Sequence, residues 1–291
     1  GKKKIWYLII SWIVISAGLI CLFIFKLKPG IDFAGGSLIE VEINKQTNIG
    51  EIKDALKDHD LPNLNIYQIG ERGWILKTKE INEEKKNQSI VALGKVGETT
   101  EKRFESVGPT VSNDLRKKSI LAISLATIAL IFYIAIAFYH LPKFLSPWKF
   151  GLAAIVALAH DLLVVLGAFA IFGHFLGYEI DSLFITAMLT ILGFSVHDTI
   201  VVFDRIRENF RSDSPVSHLK LEEVANFSIV QTIARSLNTS LTIILVLLAM
   251  LVLGGQTLQP FILALLVGMI TGTYSSIFIA TPLLIFWHKN K

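Results

Sequence analysis

Apolar and polar positions sort this chain into two textures. Six stretches are almost continuously apolar, at 5–25, 119–139, 150–172, 182–203, 236–254 and 260–287. A helix of about 20 residues crosses the hydrocarbon core of a bilayer, so each stretch predicts a membrane-spanning helix. Between the first and second the texture changes. Ser37-Leu-Ile-Glu-Val-Glu-Ile43 alternates polar and apolar and predicts a strand. Ile49, Ile52, Ala55 and Leu56 fall at helical spacing behind Asn48, a capping residue, and predict a helix as far as Asp58. Residues 65–69 and 74–78, joined across Gly70 to Gly73, predict a hairpin. A polar helix is predicted from Asn82, with Ile90, Val91 and Leu93 on it and Gly94 and Gly97 breaking its pattern. A last short strand is predicted over 104–111. The order βαββαβ predicts a small α+β ferredoxin-like sandwich. The chain then divides into a first transmembrane helix (1–25), an outside ferredoxin-like domain (26–118) and a five-helix transmembrane bundle (119–291).

Composition agrees with a membrane α-helical bundle: of 291 residues, 52% are hydrophobic and 18% charged. The first apolar run is long, aromatic and without a small-residue cleavage site, so it reads as an anchor and not a cleaved signal peptide. Basic residues sort by loop. Lys2, Lys3 and Lys4 precede the first helix, and Lys143 and Lys149 lie between the second and third. Arg205, Arg207, Arg211 and Lys220 follow the fourth, and Lys289 and Lys291 end the chain. The loops 173–181 and 254–260 carry no Lys or Arg. The positive-inside rule then puts both termini in the cytoplasm and 26–118 outside. The net charge of +4 follows from this topology and points to no nucleic acid. Cys21 reads as a small packing residue of the first helix, and the outside domain holds no cysteine to bridge. No phosphate loop, Gly-x-Ser-x-Gly or His-Glu-x-x-His is present, so neither an enzyme, a catalytic residue nor a metal centre is expected. Gly30-Ile-Asp32-Phe-Ala-Gly35-Gly36 reads as the turn where the first helix leaves the membrane, its glycines giving positive φ and close backbone approach. A phosphate cradle is the poorer reading, since no helix start is expected behind it.

The candidate chemistry lies in the apolar runs. His160 and Asp161 sit near the middle of the third helix, and His197 and Asp198 in the inner part of the fourth. Arg235 opens the fifth, followed by Asn238, Thr239, Ser240 and Thr242. A carboxylate at membrane depth costs at least about 2.5 kcal/mol and by default marks a functional site. Asp198 lies six residues inside Asp204, roughly 9 Å along the axis. Arg235 enters from the same side, with Asn238 one turn deeper on nearly the same face. The spacing therefore predicts that Asp198 and Arg235 face each other. Burial and a guanidinium pull a carboxylate's ionisation in opposite directions, which suits a group that loads and releases a proton as its partner moves. Asp198, Arg235, His197 and Asn238 form the candidate proton relay, and His160 and Asp161 a secondary one. The pattern His-Asp-x-x-Val-Val occurs at both 160–165 and 197–202. Plainer readings stand beside these. Arg235 can snorkel as a topology anchor, Asp198 can be a static member of a polar network, and both histidines can be packing residues. Arg205, Arg207 and Arg211 read as inside-positive anchors paired with Asp204 and Glu208. The last helix carries Gly268, Gly272, Ser276 and Ala280 at four-residue spacing, a stripe for close helix packing and, if the helix slides, its sliding surface.

Gly30-Ile-Asp-Phe-Ala-Gly-Gly36, Val196-His-Asp-Thr-Ile-Val-Val-Phe-Asp-Arg-Ile-Arg-Glu-Asn209, Arg235-Ser-Leu-Asn-Thr-Ser240 and Gly272-Thr-Tyr-Ser-Ser276 together resemble SecF, the smaller partner of SecD, of the resistance-nodulation-division (RND) superfamily. The resemblance covers nearly the whole chain. It implies a bacterial cytoplasmic-membrane protein that uses the proton-motive force, with SecD, to help preproteins leave the SecYEG channel. YajC and the YidC insertase are further implied partners. Protons are the implied coupling ion, Na+ is left open, and no other cofactor is implied. The family's fourth-helix Asp and fifth-helix Arg match Asp198 and Arg235. The family often has Asn before that Asp, where this chain has His197, a second titrating group or a hydrogen-bond partner. SecD is expected to bring another acidic residue. Two rivals remain at this point. One is an RND-type half-transporter for a lipid or small apolar substrate, against which the small, charged outside domain counts. The other is a passive scaffold of the channel.

Overall fold

A computed structural model describes residues 3–139, 146–211 and 214–289. Lys2, Lys143 and Lys291, used above for topology, lie outside the described residues. In chain order the elements are α1 (Lys3–Phe25), α2 (Ile31–Ala34), β1 (Gly36–Ile43), α3 (Ile49–Leu56), β2 (Asn65–Ile69), β3 (Gly73–Thr78), α4 (Glu83–Leu93) and β4 (Thr99–Val107). Then come α5 (Pro109–Ala137), α6 (Pro147–Leu176), α7 (Ser182–Asn209), α8 (Leu221–Leu253), α9 (Gln259–Ser275) and α10 (Thr281–Lys289). The chain forms two compact units, Pro29–Ile120 and Gly1–Lys28 with Leu121–Lys291.

The Pro29–Ile120 unit has the βαββαβ order, with antiparallel strands arranged β2-β3-β1-β4. Alternation along β1 and β3 turns Ile39, Val41, Ile43, Trp74 and Leu76 to one face. There they bury against Ile52 and Leu56 of α3 and Ala92 and Leu93 of α4. The caps are those the sequence offers: Asn48 accepts from the Glu51 amide and Asn82 from the Lys85 amide, each at 3.0 Å. Gly94 ends α4.

Several boundaries differ from the sequence reading. Helix α8 begins at Leu221, fifteen residues before the apolar run, so Arg235 lies well inside the helix and does not open it. The last strand spans Thr99–Val107, not 104–111, because it is an edge strand that needs no apolar residues on its outer side. Its neighbour helix begins at Pro109, ten residues before the apolar run, with proline in the first turn where a missing amide costs nothing. A single helical turn, α2, does follow Gly30. It leads to Gly35 at φ +74° and Gly36 at φ +128°. A Cβ on Gly36 would stand 2.5 Å from the Thr78 carbonyl oxygen, so the β1–β3 contact there requires glycine.

Among the described residues six helices are long and apolar enough to cross a membrane: Trp6–Phe25, Pro109–Ala137, Pro147–Leu176, Ser182–Asn209, Leu221–Leu253 and Gln256–His288. The second unit is built on α6, α7 and α9, which pack against one another, with α1 against α6 and α8 against α7 and α9. The α1–α6 crossing is a glycine contact: a Cβ on Gly167 would fall 2.6 Å from the Gly18 Cα. Phe138 of the α5 end region, Phe150 and Phe203 form an aromatic cluster in the main core, with ring centroids 5.0–5.9 Å apart. The last span is not one regular helix. Between α9 and α10 it passes through a π-turn, Ser276–Ala280. Large apolar side chains such as Trp12, Phe23, Phe132, Ile136, Leu245 and Val252 remain exposed on α1, α5 and α8, as lipid-facing or partner-facing surface requires.

Candidate ion-coupling site

Helix α8 turns a row of small polar residues inward: Ser228, Thr232, Ser236 and Ser240 are all buried, at a spacing of four. Such a row lets α7 approach closely and supplies hydroxyls where hydrocarbon would leave a polar partner unsatisfied. Asp198 of α7 is 8% exposed and lies against this row. Its carboxyl adjoins the hydroxyls of Ser240 and Ser236, with His197 beside it. The Ser236 hydroxyl is buried and completes no hydrogen bond of ordinary geometry. A cavity of about 10 Å³ opens here, lined by Ser195, His197, Asp198, Ser240, Gly272 and Thr273 among others. That is close to the smallest space that admits one water molecule. At the C-terminal end of α7, Asn209 donates to Ser228 (2.9 Å) and Arg205 to Gln231 (2.6 Å), tying α7 to α8. Arg205 also pairs with Glu208, and Arg207 with Asp204, as the charge order suggests.

The expected Asp198–Arg235 ion pair is not made in this structure. Successive helical residues point about 100° apart, so with Ser236 turned inward Arg235 turns out. Arg235 and Asn238 do share a face, and that face is exposed. Arg235 has no salt bridge among the described residues. His197 is also exposed, next to buried Asp198.

The secondary pair is drawn into a denser network. His160 is 4% exposed and Asp161 0%. One Asp161 oxygen, Oδ2, accepts from Ser195 of α7 (2.6 Å) and from Ser275 of α9 (2.7 Å). The other lies 3.0 Å from His160 Nδ1. The His160 ring stacks near Tyr274, whose hydroxyl donates to the Tyr7 carbonyl of α1 (3.2 Å). The two His-Asp-x-x-Val-Val segments thus have different surroundings: only the first keeps its histidine inside.

All four residues of the last-helix stripe, Gly268, Gly272, Ser276 and Ala280, are buried. A Cβ on Gly268 would clash with Ile191 of α7, and one on Gly272 would touch Ser195 at 3.4 Å. The π-turn interrupts the regular four-residue spacing between Ser276 and Ala280. Sequence reasoning missed Ser195, Ser236 and Ser275, which carry no charge; the four-residue recurrence of Ser and Thr along α8 was the available signal.

Comparison with known proteins places this geometry. Residues 87–290 match the model of protein export membrane protein SecD/SecF, C-terminal, and residues 22–47 match the SecD/SecF GG motif, which takes in Gly35 and Gly36. The chain is 42% identical to protein translocase subunit SecF of Thermobaculum terrenum, over 98% of this chain and 92% of that one. It is 39% identical to the SecF subunit of Anaerolinea thermophila, over 100% and 94%. A crystal structure of SecDF, a translocon-associated membrane protein from Thermus thermophilus, superposes with a TM-score of 0.86 at 31% identity. The match covers all of this chain and 38% of that longer one. The SecDF protein of Bacillus subtilis gives the same proportion at 32% identity. The chain belongs to the SecD/SecF family of protein export membrane proteins, among its SecF subunits.

Proposed function

We propose that this chain works with a SecD-type partner in the cytoplasmic membrane of a bacterium, with both termini inside and residues 26–118 outside, and couples proton entry to preprotein export through the SecYEG channel. The observation that carries the reading is Asp198: a carboxyl 8% exposed inside a membrane-spanning helix, beside an unpaired Ser236 hydroxyl and a cavity of about one water's size. A group so placed is a functional-site candidate by default, and proton relay is one of the roles such carboxyls serve. Asp198 holds the proton, Ser240 orients the carboxyl, the unpaired Ser236 hydroxyl is at hand to bond it, and water in the cavity delivers or removes the proton.

Arg235 and Asn238 take a different role from the one the spacing suggested. They form an exposed polar face at membrane depth, where lipid alone is a costly neighbour. SecDF chains more than twice as long contain the whole of this one, which supports a SecD helix as the cover for that face. An acid on that helix would pair with Arg235, and a proton arriving at Asp198 would alter the balance between the two pairs. One charge crossing about 100 mV supplies roughly 2.3 kcal/mol, enough to bias a nearly balanced equilibrium. Na+ can replace H+ at such a carboxyl, and YajC and YidC are further partners on this reading. The lipid-exporter alternative gains no support from the outer unit: its cleft of about 520 Å³ is lined by Glu40, Glu42, Glu71, Arg72 and Lys102.

The test uses inverted membrane vesicles carrying the SecD-containing complex and a preprotein held after the ATP-driven stage. An imposed proton gradient speeds release in the wild type, and Asp198→Asn abolishes the acceleration. Release by Asp198→Asn at the wild-type rate would refute the reading.

A further inference from the structure

Two hydrogen-bond networks reach the last membrane-spanning segment within three residues of each other. From the α8 side, Thr273 bonds to the Ser240 hydroxyl (2.6 Å), and Ser240 adjoins Asp198. From the α6 side, Ser275 donates to Asp161 Oδ2 (2.7 Å). The same oxygen accepts from Ser195 (2.6 Å), which stands one turn before Asp198 on α7. With His160 on its other oxygen, Asp161 is fully engaged and has no exposure. Gly272 leaves the space between these groups open: a Cβ there would lie 3.4 Å from Ser195 and 3.7 Å from Asp161 Oδ2. Immediately beyond Ser275 the backbone takes π geometry through Ala280. Such a turn breaks the regular i→i−4 ladder and recurs at functional sites. At Gly268 the Ile191 side chain of α7 fills the place a Cβ would take, and at Gly272 a Cβ would touch Ser195, so the two glycines seat the segment directly on α7.

We propose that Asp161 is a positioning residue for the coupled reaction. By holding Ser195 of α7 and Ser275 on one carboxyl oxygen, it fixes the register in which Thr273 meets Ser240. A change at Asp198 is thereby converted into movement of the last segment at its π-turn. The proposal deepens the relay reading and rests on it. It assigns Asp161 no proton to carry; its work is mechanical, and removing the Ser275 hydroxyl releases the helix without touching Asp198.

Proton uptake and gradient-driven preprotein release are measured on the same vesicles for Asp198→Asn, Ser275→Ala and Ser275→Thr. Ser275→Ala is expected to keep proton uptake within about twofold of wild type while release per proton falls about tenfold, as loss of one hydrogen bond to a carboxyl group allows. Ser275→Thr, which keeps the hydroxyl, restores release. Wild-type release per proton in Ser275→Ala and in the Ser195→Ala/Ser275→Ala pair would overturn the proposal. So would an equal loss of uptake and release in Ser275→Ala, since that is the signature of the relay or of misfolding. Asp198→Asn with normal uptake and release would instead refute the relay reading. An independent measurement leaves Ser275 intact: amide exchange across Ser276–Ala280 should be faster in Asp198→Asn than in wild type, and unchanged exchange would overturn the proposal.

Discussion

At the scale of single residues, position along a helix turn decides which polar groups meet. Ser236 and Arg235 are neighbours in the chain, yet the first is buried beside Asp198 and the second is exposed. The same rotation separates buried Asp198 from exposed His197. Polar residue types inside apolar runs mark where chemistry sits, and the spacing of four along α8 marks which of them face inward. Gly36 illustrates a residue fixed by backbone geometry alone. At φ +128° and with the Thr78 oxygen 2.5 Å from any Cβ, Gly36→Ala is expected to destabilise the Pro29–Ile120 unit by about 1–3 kcal/mol. Hydrogen exchange at the β1 and β3 amides of the full chain measures this, and protection equal to wild type would show that the β1–β3 edge absorbs the methyl group.

At the scale of elements, tight approach of α9 to α7 and α8 sets up both hydrogen-bond networks. Gly268 has no room for a side chain against Ile191, so Gly268→Val should force the two helices apart at a cost of about 1–3 kcal/mol. Thermal unfolding in detergent micelles should show the lower midpoint, and an unchanged midpoint would mean that α9 rides freely on α7. What the sequence made legible at this scale follows from burial. The six spans are continuously apolar whether they face protein or not, and the strands β1 and β3 bury alternating apolar faces, so their pattern is plain. The edge strand β4 begins Thr99-Thr-Glu-Lys-Arg103 and buries little, so hydrophobicity gave no sign of its true start. The first ten residues of α5 are polar in the same way, and only Pro109 signalled the helix. The Asp161 network was illegible because its bonds join residues 34 and 114 positions apart through serines, which no periodicity distinguishes.

At the scale of the whole molecule, the polar face of Arg235 and Asn238 and the buried carboxyl of Asp198 make sense together only in an assembly. The SecDF relatives, of which this chain matches 38%, supply the length of chain that such an assembly needs. The central claim is that Asp198 gains and loses a proton during the cycle. The most direct measurement is the infrared carbonyl stretch of protonated carboxyl groups in the SecD-containing complex, reconstituted in lipid and followed as the pH is lowered. Exposed carboxyl groups protonate in every variant, so the account predicts a difference band, wild type minus Asp198→Asn, that grows with acidification and is kept in the Ser275→Ala background. A band of wild-type amplitude in Asp198→Asn would contradict it.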